Sequence, residues 1–131
     1  MPIVRIDVPQ WVSHKQRLEI RKEMHGCIER TWFKEHIWVA VRDYTSEPEE
    51  RMVIMTVEVR EGRGNDKERA EALFLEAQEA LQRIVGTRSS ELIVLCRKFG
   101  QEDCISAGDA LPPLETATPP VESLRRRIEA A

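Results

Sequence analysis

Residues 52–64 read Met52-Val53-Ile54-Met55-Thr56-Val57-Glu58-Val59-Arg60-Glu61-Gly62-Arg63-Gly64. Met52 to Val59 is apolar except at Thr56 and Glu58, two apart, which is the period of a strand. Arg60 to Gly64 holds two glycines and reads as a turn. Asn65, with Glu68 three residues on, has the form of a helix capping box in which Asn replaces the usual Ser or Thr. Ala70, Leu73, Phe74, Ala77, Leu81, Ile84 and Val85 then recur at helical spacing, and Gly86 falls just past that helix. Leu92 to Cys96 is a buried-type strand. The order strand, turn, helix, strand is a βαβ crossover, whose two strands run in parallel with the helix on one face.

Working outward, the N-terminal part repeats the plan. Val4, Ile6 and Val8 alternate with Ile3, Arg5 and Asp7 as in a strand. Ser13 is a helix N-cap candidate, and Ile20, Met24, Cys27 and Ile28 form the apolar stripe of a helix reaching about Thr31. Ile37 to Val41 is β-branched and aromatic enough for a second strand, followed by a polar loop from Thr45 to Arg51. The expected fold is α+β (α/β): a tandem βαβ repeat forming a four-stranded sheet with two helices on one face. One domain, residues 1–111, holds the two units (about 2–44 and 52–98). Phe99 to Leu111 reads as irregular. Residues 112–131 form a Pro-rich linker and a short C-terminal helix or tail. A sheet with Val, Ile and Met on both faces and helices on only one needs a partner, so oligomerisation through the sheet is expected.

Composition narrows the function. The 131 residues are 41% hydrophobic and 33% charged, the balance of a folded globular protein. The formal net charge of −3 lacks the basic surplus of a nucleic-acid binder. No apolar run approaches the roughly 20 residues that span a bilayer, and the N-terminus has no signal-peptide pattern. A cytoplasmic protein with neither nucleic acid nor membrane as partner is the expectation. Cys27, Cys96 and Cys104 are odd in number and show no CxxC spacing; the first two fall in apolar segments and read as core. His14, His25 and His36 match no compact ligand motif, so no metal is expected.

Three features stand out against this background: Pro2 directly after Met1, Met24-His25-Gly26, and Val59-Arg60-Glu61-Gly62-Arg63. Removal of Met1 would turn the Pro2 nitrogen into a secondary amine, able to act as general base or acid near neutral pH. Arginine suits bidentate carboxylate binding, and Gly62 and Gly64 allow an anion close to the backbone at a helix N-terminus. Taken singly, a proline after Met eases Met removal, and a turn arginine is usually solvated. Their combination points to chemistry.

In order and spacing these features resemble the tautomerase superfamily, most closely its malonate semialdehyde decarboxylase and cis-3-chloroacrylic acid dehalogenase groups. The resemblance covers roughly residues 2–112. It implies that Pro2 is catalytic and that Arg60 and Arg63 hold the substrate carboxylate or polarise its carbonyl. It also implies supporting roles for His25, at the place of a histidine in the decarboxylase group, and for Glu35, near that group's catalytic aspartate. Trp38 and Phe99 are candidates for an apolar pocket wall. The chain departs from the dehalogenase group, where a strand tyrosine and a loop glutamate activate water; Leu95 and Ser106 stand there instead. The expected function is keto–enol tautomerisation of a small 2-oxo or enol carboxylic acid by a homotrimer, without cofactor. The alternatives are a decarboxylase, hydratase or weak dehalogenase of three-carbon acids with a cationic Pro2, or a non-catalytic binding oligomer.

Overall fold

The computed structural model describes residues 2–32, 37–106 and 108–111. The proposed tail, residues 112–131, and Glu35 lie outside the described residues. The elements run β1 (Ile3–Pro9), α1 (His14–Trp32), β2 (Trp38–Tyr44), β3 (Val53–Arg60), α2 (Asp66–Val85) and β4 (Leu92–Phe99). Gln101–Asp103 is one turn of 3-10 helix, and Ile105–Ser106 pairs with Asp109–Ala110 in a two-residue hairpin. That stretch is therefore more ordered than its glycines and polar residues indicate.

The four strands form one sheet in the order β2-β1-β3-β4. β1 and β2 are parallel, as are β3 and β4, and the two units meet where β1 and β3 pair antiparallel. Exchanging the two units maps this order onto itself. Both helices lie on one face, as the two parallel crossovers require. Val4, Ile6, Val8, Met55 and Val57 point into the core, none of them more than marginally exposed. They meet Ile20, Met24 and Ile28 of α1 and Leu73, Ala77 and Leu81 of α2. Each large aliphatic side chain removed from water there contributes about 1.5–3 kcal/mol.

The opposite face is mixed. Arg5 and Glu58 form an ion pair at 2.6 Å and Arg42 and Asp7 one at 3.1 Å. Between and beside these pairs, Trp38, Ile93 and Leu95 are each about half exposed.

The helix ends follow the sequence at Ser13 and Gly86 but not at Asn65. Ser13 Oγ accepts from the Gln16 amide at 3.1 Å, and Gln16 Oε1 accepts from the Ser13 amide at 2.9 Å, a reciprocal capping box. Gly86, at φ 75°, ends α2 with its amide donating to the Gln82 carbonyl. The last turn of α1 is closed by the Arg69 side chain, considered below. The expected Asn65 capping box does not form. Gly62, Gly64 and Asn65 all have positive φ (92°, 79° and 59°), and Asn65 makes no side-chain cap bond. An N-cap normally has extended backbone, and a left-handed residue presents its side chain differently.

At the edge where β1 and β4 end and start respectively, the arginine chemistry is closed on itself. Arg51 lies over the Trp11 ring, 5.1 Å from its centroid, and its Nε is 3.3 Å from a Glu91 oxygen. No helix among the described residues is long and apolar enough to cross a membrane.

Candidate active site

The strand directions gather most of the candidate residues at the other edge of the sheet. β1 and β2 start there, and β3 and β4 end there. Ile3 pairs with Trp38 in one direction and with Glu58 in the other. One step further along β1, Pro2 comes level with Val59, next to Arg60. Arg60 is in turn in register with Phe99. The Pro2 carbonyl accepts from the Trp38 amide at 3.1 Å, and the Phe99 carbonyl accepts from the Glu61 amide at 2.8 Å. Trp38, Arg60 and Phe99 thus stand on β2, β3 and β4, and Pro2 immediately precedes β1. At about 4.8 Å per strand, the row is about 14 Å across. Arg63 sits in the turn that leaves the same edge.

Pro2 is buried, as is Arg60. Arg63 is half-buried. Among the described residues, neither arginine makes a side-chain hydrogen bond or an ion pair, whereas Arg5 is matched by Glu58, Asp7 by Arg42 and Glu91 by Arg51 and Arg88. Burial, and then the charge of Arg60, hold the Arg63 guanidinium below its ordinary value. Arginine nevertheless stays charged in proteins. Two neighbouring cations with no counter-ion among the described residues are chemically suited to an anion.

A third arginine joins them that the sequence reading passed over. Arg69, in the first turn of α2, is fully buried. Burial, and then Arg63, lower its affinity for its proton, while Asp66 acts in the opposite sense. Asp66 itself is engaged by Lys98 at 2.6 Å. The expected stripe began at Ala70, but the residue turned inward is Arg69. The signal was available: Arg69 lies four residues before Leu73 and eight before Ala77, on the core-facing row of the helix.

The remaining candidates are placed apart. His25 lies in the middle of α1, seven residues before its end, hence about 10 Å back along the axis. Its ring is half-buried, and Nδ1 lies 3.7 Å from Glu29. The structure does not bring it to Pro2. Leu95 is exposed on β4 and Ser106 lies in the small hairpin. Of the cysteines, Cys27 is buried, and its thiol is pushed up to about 11 by burial and by Glu76. It is not poised as a nucleophile.

No family model matches the chain, and no curated protein matches it. Solved structures do. A macrophage migration inhibitory factor-like protein from Entamoeba histolytica is 10% identical, with a TM-score of 0.72, over 84% of this chain and 98% of that one. A fused 4-OT symmetric trimer is 15% identical, with a TM-score of 0.70, over 82% and 93% of the two chains. A malonate semialdehyde decarboxylase inhibited by 3-bromopropiolate is 19% identical, with a TM-score of 0.64, over 79% and 87%. At such identities the likeness is one of fold.

Proposed function

We propose that this chain, which has the tautomerase-superfamily fold, is a tautomerase of small 2-oxo or enol carboxylic acids. Removal of Met1 frees the Pro2 amine as general base. It takes a proton from one end of the enol–ketone system and returns it at the other. Arg60 and Arg63 bind the carboxylate and the enolate charge that develops in the transition state. The same guanidiniums favour the neutral amine over the ammonium, which keeps a base available near pH 7. Trp38 and Phe99 flank Pro2 and Arg60 along the edge and form the walls. The chemistry needs no cofactor, because the amine moves the proton and the arginines hold the charge.

The observation that carries this reading is the pair of arginines, without a counter-ion among the described residues, at the end of the sheet where β1 begins and β3 ends. The test has two parts. Intact mass of the purified protein should lack the Met1 residue. Wild type should then ketonise phenylenolpyruvate, with Pro2→Ala strongly impaired. Retained Met1, or a Pro2→Ala rate equal to wild type, overturns the amine mechanism.

A second reading rests on the likeness to malonate semialdehyde decarboxylase. A Pro2 that stays cationic would serve decarboxylation or hydration of a three-carbon acid. The pH–rate profile separates the two: a rate that needs the group deprotonated supports tautomerisation, and one that needs it protonated supports the alternative. We also propose a homotrimer packed through the open sheet face. The half-exposed Trp38, Ile93 and Leu95 support it, as does the assembly of the fused 4-OT protein as a trimer.

A further inference from the structure

Arg69 occupies a place where an apolar residue would be cheaper. It is 0% exposed, and its Nη2 has no hydrogen-bond partner among the described residues. An unsatisfied buried donor costs about 1–3 kcal/mol, and the charge of Arg63 acts against it as one of the same sign. What the side chain does make are two bonds to main-chain carbonyls. Nε donates to Gly64 at 2.9 Å and Nη1 donates to Thr31 at 2.6 Å. Thr31 is in the last turn of α1, whose carbonyls lack partners within the helix. Gly64 closes the turn that carries Arg63.

That turn needs fixing from outside. Three of its four residues from Gly62 to Asn65 have positive φ. At its start, the Glu61 amide donates to the Phe99 carbonyl at 2.8 Å. At its far side, Gly64 is held by Arg69. Arg63 lies between these two anchors. A planar guanidinium has the rigid fork needed to hold two carbonyls at once, whereas a lysine has one point of attachment.

We infer that Arg69 is a positioning residue of the site: it clamps the Arg60–Gly64 turn to the end of α1 and so fixes Arg63 for carboxylate binding. The inference rests on the reading of Arg60 and Arg63 as an anion site. The charge of Arg69 reaches the bound anion through Arg63, and its own nitrogens do not touch the substrate.

The test uses the whole protein and two readouts, direct binding of phenylpyruvate by calorimetry and steady-state ketonisation of phenylenolpyruvate. Arg69→Lys keeps the charge and loses one of the two bonds. It should weaken carboxylate binding and raise KM about tenfold, with kcat within about threefold of wild type, because a small misplacement of a binding group is felt strongly. Arg69→Gln should do the same or more. A lowered Tm with unchanged carboxylate affinity overturns the inference and leaves Arg69 as a helix cap alone. Wild type that binds no carboxylate overturns the anion-site reading itself, and this inference with it. Should neither variant fold, hydrogen exchange on wild type decides: saturating carboxylate should protect the amides of 61–65 and of 31–32 together, and protection of the turn alone overturns the clamp.

Discussion

Trp38 donates its backbone N–H to the Pro2 carbonyl at 3.1 Å, so Pro2 is already tied into the sheet by an atom that its amine chemistry does not use. This separates fold from function at the proposed catalytic residue. Pro2→Ala keeps that carbonyl and still allows Met removal. Its Tm should stay close to wild type while turnover of phenylenolpyruvate falls by about 100-fold or more, the range of a lost general base. A stopped or slow enol decay monitored in the ultraviolet gives the rate, and a melting curve gives the control.

Arg63 is half-buried, feels the like charge of Arg60, and makes no ion pair among the described residues. Arg63→Gln should therefore raise KM for the enol acid by about 10–100-fold, the worth of a charge-assisted hydrogen-bond pair. The same variant should melt no lower than wild type, because it removes a like-charge contact from a partly desolvated place. A fall in Tm with unchanged KM would show that Arg63 serves the fold instead.

Glu91 makes the acid limb of stability. Hydrogen bonds from the Arg88 side chain and backbone, together with the charges of Arg88 and Arg51, lower its carboxyl to about 2. The folded form thus binds the proton less readily than the unfolded chain. The stabilisation is complete above about pH 4.5 and is lost as pH falls towards 2. Glu91→Gln should lower Tm at pH 7 and flatten its dependence on pH between 5 and 2. Parallel pH–Tm curves for the two proteins would refute the assignment.

Gly86 ends α2 at φ 75°, and an added Cβ would lie 3.3 Å from Arg51 Nη2. Gly86→Ala should cost about 1–2 kcal/mol, the strain of a left-handed alanine, and lower Tm by several degrees. Since Gly86 lies at the edge remote from Pro2, KM should not change. A KM shift in this variant would tie the two edges together in a way the structure does not.

Leu95 tests the assembly. It is about half exposed on the face that the helices leave open. Leu95→Glu should convert a trimer into monomers, measured by light scattering on a sizing column. A wild type that runs as a monomer at micromolar concentration removes the basis for the variant and for the trimer.

Element type was legible in the sequence because period-2 and period-3.6 patterns were clean: Val4, Ile6 and Val8 in β1, and Leu73, Ala77 and Leu81 in α2, all point inward. Gly86 and Ser13 were readable because each cap depends on a local rule. Asn65 misled, since the preceding glycines set a left-handed backbone that a motif of side-chain types does not reveal. The gathering of Trp38, Pro2, Arg60 and Phe99 was beyond local pattern, because it depends on β1 and β3 meeting antiparallel. Arg69 was missed for a different reason. A charged residue on a core row looks like a phase error until its carbonyl partners are seen.

The topology gives the molecule two equivalent ends, since exchanging the units leaves the strand order unchanged. Both ends carry arginine. At one of them the protein supplies the negative charge itself, through Glu91 against Arg51 and Arg88. At the other, none of the described residues pairs with Arg60 or Arg63. A symmetric scaffold thereby acquires a front and a back: among the described residues one end is self-neutralised, and the other carries the positive charge on which the proposed anion site rests.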